Sequence, residues 1–398
     1  MSTTFSGEGI LGAYPHINRD MQQWSPPEMF DLSQGTDQTR LEERLQNGEV
    51  ARIHDPLPVI AQAMCEYEHP ETKGKPDEQE DYVRSVLDQG ESYGTWVLFP
   101  WSKLLSRFPD KADHQNLRTS RDRNLKTADE QDSLFGETIA VIGLSVGSKA
   151  LGSLVEGGIG GSYIIGDGDF LDPTNINRID AGYTDVGLSK VDIAAKKISE
   201  KDPWLEQIHL KSGLHADQAD TLAQANLIVE EVDNLAVKAL IRLKAQEYGI
   251  PLVMAADIAD RSVIDVERYD VQDRKNLMFN GRITPAQALE ISRGDLSPGE
   301  NSRYMLKHTG VRHLSTRMMK SVMAIGSELG GLPQLGTTAT KGGADVAFAA
   351  REILLGRTMS SGRYVDDPRR TFKLPRSEAS LLETAKTAVK LVKHARTL

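Results

Sequence analysis

The chain has 398 residues, a formal net charge of −10 and 39% hydrophobic residues. This length allows two domains, or one large domain with an extension, and the acidic balance argues against a protein that coats nucleic acid. Because the sequence has no apolar run of about 18 residues and no basic start followed by an apolar core, we expect neither a membrane span nor a signal peptide.

The single cysteine, Cys65, cannot form an internal disulfide or a zinc-binding cysteine pair. We therefore expect no zinc site and a reducing, cytoplasmic setting. Cys65 lies in IAQAMCEYEHPE, near the end of a predicted amphipathic helix. Free cysteines usually behave as small hydrophobic residues, so a half-buried structural thiol is predicted.

Residues 1–112 carry no known motif and are predicted to form a mixed N-terminal extension. The first 25 residues lack periodicity, which indicates an irregular arm. Helical patterns follow in QTRLEERLQ and DYVRSVLDQ, and the apolar segment GTWVLFPWSKLL indicates a strand that packs this region onto another surface.

Residues 113–358 are predicted to form the main domain, because apolar strands and helices alternate from about residue 137. The predicted strands are TIAVIGL, SYIIGD, IHLKSG, NLIVEEVD and IPLVMAAD. The predicted helices between them are SKALGSLVEGG, SKVDIAAKKISEKD, DQADTLAQA and NLAVKALIRLKAQEYG. This alternation predicts a Rossmann-like α/β fold with a mostly parallel sheet and helices on both faces.

The pattern changes after residue 260. RSVIDVERYD alternates apolar and polar side chains and predicts a half-exposed antiparallel strand. Residues 275–310 are polar and predicted to be loop-rich, and GGADVAFAAREILLG is a predicted small-residue helix. Residues 359–398 are predicted to form a C-terminal tail with an amphipathic helix docked by its apolar stripe.

A glycine loop joins the first strand to the first helix in AVIGLSVGSKALGSL. Gly143 and Gly147 let backbone N–H groups approach a phosphate at the helix N-terminus, and Ser145 stands where a middle glycine might be. Asp167 lies twenty residues past Gly147, where a dinucleotide fold places a carboxylate on ribose hydroxyls. An NAD(P)-dependent oxidoreductase is therefore one interpretation, and a strand-end aspartate that caps a turn is another.

Two cations and a further carboxylate favour a triphosphate instead. Arg178 can bind terminal phosphates through two hydrogen bonds from its planar guanidinium, and Lys190 can act as a point charge. Asp233, at the end of the fourth strand, can hold Mg²⁺ beside the switch point of the sheet. A dinucleotide needs none of these cations, so the residues favour a triphosphate with Mg²⁺ over a dinucleotide.

These motifs occur in an order that resembles the ThiF/MoeB/E1-like superfamily of ATP-dependent adenylating enzymes, over residues 117–357. The resemblance assigns nucleotide-binding or catalytic roles to residues within GDGDFLDPTNINR, VGLSK and VEEVDN. They are Asp167, Asp169, Asn175, Asn177, Arg178, Lys190, Asp233 and Asn234. Lys238 stands where the family usually has an arginine.

The resemblance also implies a homodimer with a shared ATP site. In RTSRDRNLKTADEQ, Arg123, or failing that Arg121, matches an arginine that reaches the neighbouring subunit's ATP. A substrate carboxylate would attack the α-phosphate of ATP and give an acyl-adenylate and pyrophosphate. The carboxylate would belong to a small molecule, a peptide or a carrier protein.

Many relatives carry the acyl group on a loop cysteine after the fifth strand, but residues 258–320 contain none. We therefore predict direct transfer to an external nucleophile, as in branches that modify peptides, tRNA or metabolites. Candidates for the substrate crevice are Asp257, Asp260, Arg261 and Arg282, each of which could equally be a solvated loop charge. A non-catalytic partner subunit of the same fold remains a further alternative.

Overall fold

A computed structural model of the chain describes residues 23–271, 278–375 and 379–397. The predicted irregular arm at residues 1–25 lies almost wholly outside the described residues. Across those three ranges, none of the helices combines the length and the apolar character that a bilayer crossing requires.

The N-terminal extension forms a small mixed sheet with the strand order β1-β3-β4-β2. Its strands are β1 (Glu28–Phe30), β2 (Arg52–His54), β3 (Thr95–Phe99) and β4 (Leu104–Phe108). Its helices are α1 (Gly35–Gln46), α2 (Leu57–Glu68) and α3 (Pro76–Leu87). Helices α4 (Lys111–Arg118) and α5 (Ala128–Phe135) follow before the main sheet begins. The apolar segment near residue 95 is therefore a two-stranded hairpin, β3–β4, whose strands pair antiparallel.

This extension packs against the C-terminal end of helix α7 (Lys190–Lys201) in the main domain. Trp101 Nε1 donates a hydrogen bond of 3.1 Å to Glu200, and Trp24 Nε1 donates one of 3.4 Å to Ser199 Oγ. The predicted packing of GTWVLFPWSKLL onto another surface is confirmed.

The main domain is built on a seven-stranded sheet with the order β11-β10-β9-β8-β5-β6-β7. Its strands are β5 (Thr138–Ile142), β6 (Ser162–Gly166), β7 (Glu206–Leu210), β8 (Leu227–Glu230), β9 (Leu252–Ile258), β10 (Arg261–Glu267) and β11 (Gly362–Asp366). Strands β5 to β9 pair parallel, whereas β10 pairs antiparallel with β9 and β11. The predicted Rossmann-like fold with antiparallel additions is confirmed.

Helices cover both faces of this sheet. They are α6 (Gly147–Glu156), α7, α8 (Leu235–Tyr248), α9 (Pro285–Ser292), α10 (Pro298–Thr309), α11 (Thr316–Ala324) and α12 (Gly336–Leu354). One face packs against α6 and α12. These two helices approach closely at Gly343, where an added Cβ would lie only 2.6 Å from the carbonyl carbon of Lys149. The opposite face packs against α8, α9 and α10.

Several local predictions were wrong. The predicted helix DQADTLAQA contains only a 3₁₀ segment, Ala219–Gln224, in keeping with the preference of its Asp residues for turns over helix interiors. Strand β10 is buried rather than half-exposed, because helices cover both of its faces and its two acids, Asp265 and Glu267, pair with arginines. The described part of residues 275–310 is largely helical, and Cys65 is buried rather than half-buried.

The C-terminal segment adds the edge strand β11 as well as helices. These are the short α13 (Pro368–Thr371) and the tail helix α14 (Leu381–Thr397). Helix α14 docks against α10 and α11, and its Leu391 is 1% exposed. The docked tail helix is confirmed.

Candidate functional site

The glycine loop is pressed against the end of strand β8. Gly143 has a φ of +93°, and a Cβ there would lie 2.7 Å from the backbone nitrogen of Val232, so a larger residue does not fit. Gly147 begins helix α6, and a Cβ there would approach Glu231 Cβ to 3.2 Å. The loop therefore leaves the N-terminal N–H groups of α6 at the carboxyl edge of the sheet, an arrangement suited to an anion.

Asp167 holds this loop in place. Its carboxylate accepts hydrogen bonds from the backbone N–H of Leu144 at 2.7 Å and of Asp169 at 2.8 Å. Burial raises the pKa of Asp167, while the nearby charge of Lys190 and these hydrogen bonds act in the opposite direction. Because each carboxylate oxygen has more than one acceptor position, the loop contacts are compatible with the predicted contact to ribose.

Lys190 is a fixed cation beside the loop. It begins helix α7 and is 7% exposed. Its Nζ lies 2.7 Å from Asp169 and 3.7 Å from Asp167. The structure thus brings together Lys190 and the aspartate pair, as the sequence predicted, and the two carboxylates hold the ammonium group at the sheet edge.

Arg178 reaches the glycine loop from a different segment. Its Nε donates a hydrogen bond of 3.1 Å to Ser145 Oγ, and its Nη1 donates to Thr174 O and Asn177 Oδ1, both at 3.1 Å. Ser145 is therefore a contact point for the arginine rather than a defect in the loop. The planar guanidinium is held against the loop at the position where an anion would bind.

The two predicted asparagines have structural contacts. Asn175 accepts a hydrogen bond from the backbone N–H of Asp172 at 3.3 Å, within a short turn. Asn177 Nδ2 donates to Gln334 O at 2.9 Å, which ties the Arg178 segment to the residues before α12. Both asparagines shape the loop that presents Arg178.

Asp233 and Asn234 follow strand β8. Asn234 caps α8, because its Oδ1 accepts hydrogen bonds from the N–H of Ala236 at 2.9 Å and of Val237 at 3.2 Å. Asp233 is exposed. Within the described ranges, no group of three or more His, Cys, Asp or Glu could hold a metal. A single exposed carboxylate still fits Mg²⁺, which proteins hold through one or two carboxylates together with substrate phosphates.

Lys238 lies below this edge and is part of a buried ion network. Its Nζ contacts Glu230 at 2.9 Å, and Arg242 bridges Glu230 at 2.6 Å and Glu267 at 2.7 Å. Lys238 thus has a structural partner in place of a phosphate. Neither acid of this network, Glu230 or Glu267, was predicted from the sequence. Strand alternation places Glu230 and its neighbour Glu231 on opposite sides of the sheet, but the partners of Glu230 are fixed only by the packing of helix α8.

Arg123 and Arg121 stand apart from these residues. Arg123 stacks over the ring of Tyr67 at 4.7 Å and donates a hydrogen bond of 3.3 Å to Tyr67 O, and both arginines are exposed. The contacts of Arg123 are with helix α2 of the N-terminal extension. The single chain therefore presents this arginine on its surface.

The four crevice candidates differ in their partners. Asp260 pairs with Arg369 at 3.1 Å, Arg261 with Asp367 at 3.0 Å, and Arg282 lies 3.7 Å from Asp265. These three have charge partners within the fold. Only the fourth, Asp257, has both carboxylate oxygens buried without a hydrogen-bond partner among the described residues.

A cavity of about 510 Å³ opens beside the β9–β10 turn, within the size range of small-molecule sites. Its lining combines the turn itself with polar side chains of three helices. It includes Ala259, Asp260, Thr316, Arg317, Leu335, Arg369 and Glu383. The cavity begins two residues beyond Asp257.

The ThiF family model matches residues 119–266 of the chain. An uncharacterized protein of Mycobacterium tuberculosis (strain CDC 1551 / Oshkosh) is 32% identical over 287 residues, which cover 71% of this chain and 39% of that protein. The tRNA threonylcarbamoyladenosine dehydratase of Bacillus subtilis (strain 168) is 28% identical over 146 residues, covering 36% of this chain and 56% of that enzyme. The matched part of the chain thus spans only 39% and 56% of these two curated relatives.

Among solved structures, the E. coli tRNA N6-threonylcarbamoyladenosine dehydratase in complex with ATP is similar to this chain with a TM-score of 0.42 and 18% identity. The match covers 61% of this chain and 95% of that one. The structure of PaaA gives a TM-score of 0.45 and 15% identity over 75% of this chain and 82% of that one.

Proposed function

We propose that this chain, a member of the ThiF/MoeB/E1-like adenylyltransferase superfamily, adenylates a substrate carboxylate with ATP and passes the acyl group directly to a nucleophile. The general reaction of the superfamily is ATP-dependent adenylation. The carboxylate oxygen attacks the α-phosphorus of ATP, the bond to the β-phosphate oxygen breaks, and pyrophosphate leaves with the electron pair. The products of this step are an acyl-adenylate and pyrophosphate.

The observation that carries the proposal is the hydrogen bond from Arg178 to Ser145 in the glycine loop. It brings a guanidinium to the N-terminal end of α6, beside Lys190 on its two aspartates. Negative charge on a transferring phosphoryl group is stabilised mainly by fixed donors and cations of this kind. We assign the nucleotide to Gly143, Ser145, Gly147, Asp167, Asp169, Asn175, Arg178, Lys190 and Asn234.

Asp233 is the proposed ligand of Mg²⁺, because it is an exposed carboxylate at the same edge. Bound Mg²⁺ would neutralise phosphate charge there. We further propose a homodimer in which the exposed Arg123 of one subunit, or Arg121, reaches the ATP of the other. A monomeric protein with full activity in sedimentation velocity and activity assays would contradict the shared site.

We propose direct transfer without a thioester because Cys65, the one cysteine of the sequence, lies in the N-terminal extension, far in sequence from the proposed nucleotide-binding residues. It is buried in helix α2, and its Sγ lies 3.7 Å from Thr72 Oγ1. The substrate is proposed to be a small molecule, a peptide or a carrier protein with a free carboxylate, which enters beside the β9–β10 turn.

The test is ATP–pyrophosphate exchange by the full chain, with Mg²⁺ and a panel of carboxylates. We expect Arg178→Ala and Asp233→Ala each to lower the exchange rate at least ~10²-fold, the scale for loss of a transition-state donor. The matched control is Arg40→Ala, which removes a surface arginine paired with Asp37 at 2.7 Å and should leave the exchange rate unchanged. Near-normal exchange by the Arg178 and Asp233 variants would show that the site is misplaced.

A further inference from the structure

Asp257 is a buried carboxyl that has no hydrogen-bond partner in the described part of the chain. It lies at the carboxyl end of β9, opposite Ser262 of β10, and is 8% exposed. Neither of its oxygens accepts a hydrogen bond from a described residue. Because buried polar groups in folded proteins nearly always have a partner, this carboxyl is available to a donor other than the residues that the structure describes.

The position of Asp257 adjoins the proposed nucleotide site. Strand β9 lies beside β8 in the sheet, and Glu231, at the end of β8, accepts a hydrogen bond of 2.7 Å from the N–H of Ala255. Glu231 also contacts the glycine loop at Gly147. Burial raises the pKa of Asp257 to about 7, and the charge of Arg178 acts against that rise. The carboxyl therefore lies within the electrostatic reach of the arginine assigned to the phosphate.

We propose that Asp257 binds the amino group of the acyl acceptor and takes its proton during acyl transfer. The inference rests on the proposed adenylation function. The amine nitrogen attacks the acyl carbon, the C–N bond forms, and the bond from that carbon to the AMP oxygen breaks. AMP leaves with the electron pair, and the proton of the nitrogen passes to the Asp257 carboxylate.

An amine fits this carboxylate better than an alcohol. Two buried oxygens lack donors, and an amino group offers at least two N–H bonds, whereas a hydroxyl offers one. A base that titrates near neutral pH also combines an ionised population with enough basicity to accept the proton.

The experiment separates the two half-reactions in Asp257→Asn. The full chain is supplied with ATP, Mg²⁺ and a deproteinised bacterial extract as the source of carboxylates. Pyrophosphate exchange reports adenylation, and AMP release is measured with added methylamine or added hydroxylamine. Methylamine is protonated at neutral pH and needs a base, whereas hydroxylamine is largely unprotonated and needs little help.

We expect Asp257→Asn to keep exchange within about 3-fold and hydroxylamine-dependent AMP release within about 3-fold. Methylamine-dependent release should fall at least ~10²-fold, the usual scale for general-base catalysis. Asp270→Asn, which removes a carboxyl paired with Arg268 at 2.6 Å, should retain all three activities.

Equal loss of all three activities in Asp257→Asn would overturn the inference and make Asp257 part of the adenylation site or the fold. Unchanged methylamine-dependent release would overturn it as well, since the carboxylate would then take no proton. If the unaltered chain shows no exchange with any carboxylate, the proposed function itself fails, and the role of Asp257 fails with it.

Discussion

Glu230 and Asp257, two buried acids on opposite faces of the seven-stranded sheet, have pKa values shifted in opposite directions. On the face covered by α8, Glu230 is fully buried and contacts both Lys238 and Arg242. Burial raises the pKa of Glu230, but these two cations outweigh it and hold the pKa below its ordinary value. On the face covered by α6 and α12, burial raises the pKa of Glu231 well above its ordinary value and that of Asp257 to about 7.

This difference separates structural acids from acids available for chemistry. A buried ion pair is costly to break, because removal of one partner leaves the other charge buried and uncompensated. A buried carboxyl without a cation stays neutral more readily and can still accept a donor or a proton. The face with the unpaired acids is also the face that carries the glycine loop.

The largest effect on stability is expected from removing a cation of the buried ion network on the α8 face. Arg242→Met leaves Glu267 without its cation and Glu230 with only one, and loss of one member of a buried ion network costs about 3–5 kcal/mol. Urea unfolding measures the change in the free energy of unfolding. The control is Arg40→Met, in a surface pair with Asp37, which should cost at most about 1 kcal/mol. Equal costs for the two variants would contradict the contrast.

On the face covered by α6 and α12, Asp257 should make the free energy of unfolding depend on pH. The folded pKa of Asp257, about 7, lies above its ordinary value of 3.8, so the folded state binds a proton more tightly than the unfolded state. This contribution to stability is present below about pH 4 and is lost as the pH rises to about 7. Its size is up to about 4 kcal/mol, from about 1.4 kcal/mol for each unit of pKa shift.

Asp257→Asn removes that contribution, so its stability should fall less than that of the unaltered chain between pH 5 and pH 8. The groups that act on this carboxyl are Arg178, which lowers its pKa, and the neighbouring Glu231. Urea unfolding at both pH values measures the difference, with Asp270→Asn as the control. Parallel pH profiles for the Asp257 variant and the unaltered chain would contradict the assignment.

The smallest effect is expected at the cysteine. Cys65→Ala removes a buried thiol from the N-terminal extension and should cost about 1 kcal/mol of stability. Adenylation and acyl transfer should both be unchanged, because no thioester is proposed. Retained pyrophosphate exchange with lost acyl transfer in this variant would show that the thiol carries the acyl group after all.

Much of the fold follows from local sequence. Strands such as TIAVIGL are continuous apolar runs because parallel strands are buried on both faces, and that signal was sufficient to predict the sheet. The prediction failed where tertiary contacts determine whether a side chain is buried. RSVIDVERYD alternates like a surface strand, yet Asp265 and Glu267 are buried because Arg363 and Arg242 pair with them.

The site was partly predictable for the same reason. Arg178, Lys190 and the aspartate pair could be placed together because their elements end at one edge of a parallel sheet. The partners of the four crevice candidates could not be predicted. Their partners are remote in sequence, as for Asp260 and Arg369, so the sequence did not show that Asp257 alone lacks one.

The central claim is that the glycine loop and Arg178 bind ATP rather than a dinucleotide. Isothermal titration of the full chain with ATP and Mg²⁺, and separately with NAD and NADP, tests it most directly. We predict saturable binding of one ATP per chain, weakened at least ~10-fold in Arg178→Ala, and no comparable binding of either dinucleotide. Tight binding of NAD or NADP with no binding of ATP would contradict the account.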